Sequence, residues 1–402
     1  MHLFHYATDK EIKRGETTDI YFARTQQVLE AKGLDRLQVV AEITSGVLPK
    51  AWPWGILCGI EEEARLFEGC PVDVYSMREG SVFYHEDCVG VREPIMFIQG
   101  AYGEFCVLET PLLGLICQAS GAATRAARIK SVAGEKLVVA FGIRRMHPAL
   151  SPMLDRAAYI GGFDGVSSLK GGEVIGVEPT GTMPHALIIA FGDPVKAWRA
   201  FDEVMPPDVP RVALVDTYYD EKLESIMAAE ALAERLYGVR LDTPGSRRGD
   251  FGDIIREVRW ELDVRGYQHV KIFVSGGLDE ESVKSLGEAG ADAFGVGTAV
   301  SNAPTIDFAM DIVELEGKLS AKRGKLGGKK QVWRCSQCLS DIVLPFAATQ
   351  PKCKRCGGDT QPMLRPLIQN GKLVTELPQP SDIRQYVLRQ MAKLASLEKS
   401  PQ

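Results

Sequence analysis

Ile272–Thr298 reads IFVSGGLDEESVKSLGEAGADAFGVGT. An unbroken apolar run ends on Gly276 and Gly277, an amphipathic stretch follows, and a second apolar run carries Gly295 and Gly297 at its end. Apolar runs without polar alternation suit strands buried on both faces, which are parallel strands covered by helices. Glycine lets backbone amides approach an anion with no Cβ in the way. Helix N-termini and clustered N–H groups then favour a phosphate. Plain tight turns are the blander reading, but two glycine pairs on consecutive strand ends favour an anion site.

The same alternation extends upstream. The runs LVVAFG, VIGVEP, RVALVDT and GVRLDT read as further strands. Between them lie YIGGFDGVSS, PHALIIAFGDPVKAWRAFDEV, EKLESIMAAEALAERLYG and FGDIIREVRWELDVRG. Six such units suit either a barrel or a doubly wound sheet. Nearly every run ends in a chemically useful group: Arg144, Thr182 and His185, Asp216, Asp242, and Gly276-Gly277. A (β/α) barrel gathers its site from several strand ends, whereas a doubly wound sheet concentrates it at one switch point. The expectation is an α/β protein with an irregular (β/α) barrel over residues 109–305.

Residues 1–108 carry short strand-like segments (LQVVAEITS, PVDVYSMREGSVFY) and a turn followed by a helix in AWPWGILCGIEEEARLFEG. They are expected to form an α/β sandwich domain, completed by a strand pair within 306–330. ETPLLGLICQASGAATRAARIKSVAG predicts a helix of more than 20 residues, apolar along Leu112, Leu115, Ile116 and Ala119. Residues 331–402 hold a cysteine module and a closing helix capped by Ser381 or Asp382, with Ile383, Val387, Met391 and Leu394 on its apolar face.

The chain of 402 residues is 45% hydrophobic and 25% charged, which excludes wholesale disorder. No apolar run approaching the ~20 residues of a membrane span is evident, nor is a secretory signal, so a cytoplasmic protein is expected. The net charge of −6 is unevenly spread: residues 318–402 hold 16 Lys/Arg against 5 Asp/Glu, leaving −17 on the rest. Basic residues around the cysteines invite a nucleic-acid reading. Few aromatics are interleaved, and complementing the acidic body is the preferred explanation.

Cys335, Cys338, Cys353 and Cys356 form C-x2-C, 14 residues, C-x2-C. Four thiolates at this spacing make a closed tetrahedral zinc site of structural type. A redox pair is the runner-up. The other five cysteines lie among apolar neighbours and read as reduced core thiols.

Among candidate site residues, Arg240 and Asp242 sit two apart on a strand and share a face. Arg247 and Arg248 follow in a Gly-flanked loop. Guanidinium groups suit bidentate phosphate recognition, and an adjacent Asp can bind ribose hydroxyls or order a metal; a surface salt-bridge cluster is the alternative. Arg144 and Arg145 follow a strand, where one could meet a carboxylate or pyrophosphate. His185 follows Pro184 near a helix start, facing anions. Tyr21, in TTDIYF, offers a flat face for stacking or belongs to a core.

TTDIYF, FGIRRMHP with GGFD, GTMPHA, VRLD, SGG and GVGT occur in an order that resembles nicotinate phosphoribosyltransferases over about residues 15–330, of an archaeal type with a zinc module. The resemblance implies the type II phosphoribosyltransferase barrel. It also implies transfer of the phosphoribosyl group of 5-phosphoribosyl 1-diphosphate to nicotinate, with Mg²⁺ and with ATP hydrolysis coupled through a phosphohistidine at His185. It implies that Tyr21 stacks on the pyridine ring in a site shared within a homo-oligomer, with Phe141 near the opposite face. Arg144 would hold the carboxylate or diphosphate, with Arg145 and Thr182 nearby. Arg240 and Asp242 would hold the phosphoribosyl group, and Gly276, Gly277, Gly295 and Gly297 its 5′-phosphate. Relatives commonly read DSGD where this chain reads LDTPGSRRGD, which leaves Arg247 and Arg248 without a role. Nicotinamide and quinolinate are rival bases on the same fold, and Asp164 is a possible acceptor for an amide. A zinc-ribbon nucleic-acid-binding protein is the alternative from another class.

Overall fold

In the computed structural model, which describes residues 3–399, the chain divides into two units: one runs up to Thr124 and resumes at Pro304, and the other spans Arg125–Ala303. The Arg125–Ala303 unit is built on six parallel strands. Their order is Gly165–Val166, Leu137–Ala140, Ala293–Val296, Lys271–Ser275, Leu236–Leu241, Arg211–Leu214. Burial explains the unbroken apolar runs: Val138, Val212, Leu214, Val239, Leu241, Ile272, Val274 and Phe294 are all buried. Intervening helices, among them Pro194–Val204, Glu221–Leu232, Phe251–Val264 and Glu280–Glu288, supply the cover. The two outer strands each pair on one side only among the described residues, so the expected barrel is an open half-barrel.

One strand is not where the sequence reading put it. VIGVEP is not a strand; its first two residues end the helix Leu169–Ile175. The Ser168 hydroxyl accepts the Gly171 N–H at 2.9 Å and starts that helix, and Gly176, at φ 78°, stops it. The edge strand is Gly165–Val166, inside the segment read as a connection.

The other unit centres on a seven-stranded antiparallel sheet. Its order is Lys318–Leu319, Phe308–Leu315, Gln38–Ser45, Pro94–Ala101, Asp73–Ser76, Arg365–Gln369, Lys372–Leu373. Both halves of the chain therefore contribute to one sheet. The cysteine module is a three-stranded antiparallel sheet of Lys330–Cys335, Asp341–Pro345 and Thr360–Pro362. The closing helix is Pro380–Lys399; it begins before Ser381 and Asp382, which lie in its first turn rather than at its cap. Its Ile383 and Val387 are fully buried, and its Gln390 side chain closes hydrogen bonds to Gly80 O and Val82 N.

The long helix is Glu109–Ala133. In its first half Leu112, Ile116 and Ala119 are buried as the periodicity requires. Ser120 Oγ and Thr124 Oγ1 accept the N–H groups of Cys58 and Ile56 at 3.0 and 2.8 Å, so its buried hydroxyls satisfy a neighbouring chain segment. The small residues matter sterically: a Cβ at Gly121 would lie 2.2 Å from Pro304 O. Contrary to the sequence reading, Tyr102–Ala133 is long and apolar enough to cross a membrane, but 56% of its most apolar window is buried.

The basic tail is partly used within this same unit. Lys330 pairs with Glu42 at 2.8 Å, and Lys322 and Lys325 pair with Asp311 at 2.5 and 2.6 Å. Arg334, fully enclosed, makes a two-point contact with Asp341 at 2.8 and 2.5 Å. Glu63 is different: it is fully buried, and neither carboxyl oxygen has a hydrogen-bond partner among the described residues. Burial, reinforced by Glu62, holds its pKa well above the ordinary value.

The folded state thus keeps a proton on Glu63 at pH values where the unfolded chain has lost it. Stability should fall as pH rises above the unfolded pKa. Glu63→Gln removes this penalty. In urea titrations it should exceed the parent by about 1–3 kcal/mol at pH 8, with the gap shrinking towards pH 4.5; an equal gap at every pH would contradict the assignment.

Candidate functional site

The carboxyl ends of five of the six parallel strands line a cleft of about 420 Å³, with Phe141, Arg144, Ser167, Thr182, Arg240 and Asp242 among its residues. A narrower space of about 240 Å³ lies among the strands themselves and shares Phe141, Thr182 and Arg240 with it. The Phe141 ring lies directly across Gly295, where a Cβ would sit 2.4 Å from the ring. Gly295 is therefore required for the ring to occupy this position. Gly276, at φ 95°, turns the chain sharply after Ser275, and Gly277 follows at 73°. Both glycine pairs line the cleft.

Asp216 ties the strand ends together. Its Oδ2 accepts the Asp242 N–H and the Thr243 hydroxyl, each at 2.9 Å. Thr243 Oγ1 also lies 2.5 Å from Glu221 Oε1. The other oxygen, Asp216 Oδ1, is buried with no hydrogen bond among the described residues and lies 3.8 Å from His185 Nε2. Asp242 Oδ2 flanks the same nitrogen at 3.7 Å, while its Oδ1 accepts the Ser275 hydroxyl at 2.6 Å. The opposite ring nitrogen, His185 Nδ1, is 3.0 Å from Thr217 Oγ1. The loop carrying Thr217 is fixed from below: fully buried Glu224 accepts the N–H groups of Thr217, Tyr218 and Tyr219 at 3.2, 2.7 and 2.9 Å. Burial raises the Asp216 pKa above the ordinary aspartate value, opposed by the Thr243 hydroxyl and by the His185 charge.

His185 opens the helix His185–Phe191, with Pro184 as its N-cap. Arg240 and Asp242 do share a face, 3.6 Å apart. Arg240 also donates to Thr182 Oγ1, and its Nε is buried without a hydrogen-bond partner among the described residues. Burial lowers the Arg240 pKa from its usual value, against the pull of Asp242 and Asp216. An imidazole nitrogen between two carboxylates, beside a fixed guanidinium and glycine turns, is suited to anionic substrates and to charge that appears on the ring.

Not every expected residue joins this group. Asp164 precedes the Gly165–Val166 strand and lies at the amino end of the sheet, where its Oδ2 takes the Val138 N–H and Lys130 Nζ at 2.9 and 2.8 Å. It also lines the narrower space, together with Phe141, Thr182 and Arg240. Arg145 donates to Thr298 Oγ1 at 2.6 Å. Tyr21 belongs to the other unit, where it is exposed on the helix Ile20–Lys32. Arg248 donates to Thr243 O and lies over the Phe251 ring at 3.6 Å. The sequence reading saw Asp216 as a strand-end group but gave it no role. Ser167, Thr217, Thr243, Glu221 and Glu224 were missed, because short polar residues in loops carry no periodic signal.

In the other unit the sulfurs of Cys335, Cys338, Cys353 and Cys356 all lie within 4.8 Å of one another. Cys335 to Cys356 is 3.4 Å, and Cys338 to Cys353 is 3.6 Å. Four thiolates around an ion at 2.3 Å would be ~3.8 Å apart, so the spacing fits one enclosed metal ion. Backbone N–H groups of Gln337 and Cys338 point at Cys335 Sγ at 3.3 and 3.5 Å, and that of Arg355 at Cys353 Sγ at 3.4 Å. Such donors stabilise thiolate charge. Elemental analysis should find one metal ion per chain. Cys353→Ser should lose it and melt several degrees lower; full metal retention would contradict a four-thiolate site.

Comparison with known proteins bears on these two features. The family model "Quinolinate phosphoribosyl transferase, C-terminal domain" matches residues 122–311, and its N-terminal counterpart matches 19–120. A crystal structure of nicotinate-nucleotide pyrophosphorylase from Pyrococcus furiosus is 54% identical, covers 98% of this chain and 99% of its own, and superposes with a TM-score of 0.94. Nicotinate phosphoribosyltransferase of Bacillus subtilis (strain 168) is 32% identical over 278 residues, which is 65% of this chain but only 54% of that relative's length. Human nicotinic acid phosphoribosyltransferase shares the fold, with a TM-score of 0.76 at 22% identity over 94% of this chain and 93% of that one.

Proposed function

The chain belongs to the nicotinate phosphoribosyltransferase family, and on that premise we propose that it joins nicotinate to 5-phosphoribosyl 1-diphosphate, releasing pyrophosphate and giving nicotinate mononucleotide for NAD salvage. The observation that carries this reading is the cluster of His185, Asp216, Asp242 and Arg240 beside two glycine turns at one set of strand ends. The half-barrel corresponds in this reading to the type II phosphoribosyltransferase barrel, and the protein works in the cytoplasm.

The amides around Gly276-Gly277 and Gly295-Gly297 receive the 5′-phosphate. Arg240 and Asp242 hold the phosphoribosyl group. Phe141 forms one wall for the pyridine ring, and Tyr21 of a second copy stacks on the other, which calls for a homo-oligomer. Arg144 meets the carboxylate, with Arg145 and Thr182 at the rim of the same cleft. The nicotinate nitrogen is the nucleophile at the anomeric carbon, so the transfer needs no protein nucleophile. Catalysis is positioning plus stabilisation of the developing positive ring and the departing diphosphate. Asp216 Oδ1 and Asp242 Oδ2 are the oxygens that would hold Mg²⁺ together with substrate phosphates, and the ion would neutralise diphosphate charge. His185 accepts a phosphoryl group from ATP, its Nδ1–H held by Thr217 so that Nε2 presents its lone pair. The four cysteines hold structural zinc.

Purified protein with nicotinate, 5-phosphoribosyl 1-diphosphate and Mg²⁺ should yield nicotinate mononucleotide by mass spectrometry. ATP should raise the yield, and His185→Ala should abolish that dependence on ATP. Nicotinamide and quinolinate should give at most a small fraction of that product. Product from either of these but not from nicotinate would overturn the assignment.

A further inference from the structure

The edge strand Gly165–Val166 runs into Ser167 and Ser168, and successive residues at a strand end face opposite ways. Ser168 turns inward and is buried. Asp155, fully buried on the helix Ser151–Ile160, accepts both the Ser168 N–H and the Ser168 hydroxyl on its Oδ2, at 3.2 and 2.5 Å. Ser168 Oγ accepts in turn from the Gly171 N–H at 2.9 Å. A Cβ at Gly171 would lie 2.5 Å from Asp155 Oδ2, so this turn is packed without slack. With Ser168 held from the core, Ser167 faces the cleft and forms part of its wall. Ser167 is half-buried, and its hydroxyl makes no hydrogen bond among the described residues.

The order of the strands decides which part of a substrate Ser167 would meet. The two glycine turns close adjacent strands, Lys271–Ser275 and Ala293–Val296; Leu137–Ala140, leading into Phe141, comes next, and Gly165–Val166 is outermost. The register pairs Val139 with Gly165 and Ala140 with Val166, so one residue further on Ser167 stands beside Phe141. The Phe141 ring lies across Gly295, on the side away from Ser167, and leaves the hydroxyl uncovered. With the 5′-phosphate on the glycine turns and the pyridine on Phe141, the ring nitrogen faces the ribose. The carboxylate at the 3-position then projects away from the ribose, towards the outermost strand end. Arg144 lines the same cleft, three residues after Phe141, and its guanidinium has no ion pair or hydrogen bond among the described residues. A carboxylate has two oxygens to satisfy, and Ser167 offers a neutral donor in addition to the cation.

We propose that Ser167 binds the base, its hydroxyl donating to the carboxylate oxygen of nicotinate that Arg144 leaves free, and that Asp155 is its positioning residue, acting through Ser168. The inference rests on the nicotinate reading above. Neither residue makes or breaks a bond, so their effect falls on binding of the base and on its orientation towards the anomeric carbon. Asp155 touches no substrate. It fixes the backbone from which Ser167 projects, and its whole influence on the base passes through that hydroxyl.

The test is steady-state transfer by the full-length protein, with nicotinate and 5-phosphoribosyl 1-diphosphate varied separately. Ser167→Ala should raise KM for nicotinate about 10-fold, as loss of a hydrogen bond to a charged group does. KM for 5-phosphoribosyl 1-diphosphate and the melting temperature should not change. Inhibition by benzoate, which keeps the carboxylate and lacks the ring nitrogen, should weaken by the same factor. Inhibition by pyridine, which has no carboxylate, should stay as in the parent. Asp155→Ala should lower the melting temperature and raise KM for nicotinate; Ser168→Ala, which cuts the same link without emptying the core, should raise that KM in the same direction. Either of them combined with Ser167→Ala should raise it no further than Ser167→Ala alone. Additive effects would overturn the positioning role. An unchanged nicotinate KM in Ser167→Ala, or a defect on 5-phosphoribosyl 1-diphosphate instead, would overturn the contact while the function stood. A parent protein that does not turn over nicotinate would overturn the function, and this inference with it.

Discussion

A single buried carboxylate organises the strand ends of the half-barrel. Asp216 spends one oxygen on Asp242 N–H and the Thr243 hydroxyl, which fixes the neighbouring strand's loop, and leaves the other facing His185. Burying a charge with one oxygen unsatisfied is costly. The cost is tolerable where a positive ring or a bound cation completes the coordination. Asp242 is positioned through its backbone by Asp216 and through its side chain by Ser275, so it reaches His185 and Arg240 without freedom to reorient. Three adjacent strand ends, those of Arg211–Leu214, Leu236–Leu241 and Lys271–Ser275, are thereby coupled in one hydrogen-bonded chain.

The support beneath that chain is also acidic. Glu224 collects three backbone N–H groups of the Thr217–Tyr219 loop, and Glu221 Oε1 lies 2.5 Å from Thr243 Oγ1. The region is therefore rich in fixed negative charge, although the ligands it is read to accept are anions. Arg144 and Arg240 become meaningful against this background. The other unit handles charge differently: Asp311, Glu42 and Asp341 are matched by Lys322, Lys325, Lys330 and Arg334 from the basic end of the chain. Glu63 stands apart there as a buried carboxyl with no hydrogen-bond partner among the described residues.

The parallel strands were legible because residues buried on both faces leave unbroken apolar runs, as in VKIFVS and RVALV. The four cysteines were legible because their spacing is dictated by tetrahedral geometry. Arg240 and Asp242 were paired correctly from strand periodicity. VIGVEP misled because an apolar pair before a glycine looks the same at a helix end as in a strand; only the Ser168 cap distinguishes them. Ser167, Thr217 and Glu224 were invisible because their importance lies in hydrogen bonds to backbone from other segments, which leave no local pattern.

The most direct measurement is a crystal structure with nicotinate mononucleotide bound. The account predicts the 5′-phosphate on the amides around Gly276-Gly277 and Gly295-Gly297, the ribose beside Arg240 and Asp242, and the pyridine ring on Phe141. A nucleotide seated at the amino ends of the strands near Asp164, or away from the His185–Asp216 pair altogether, would contradict it.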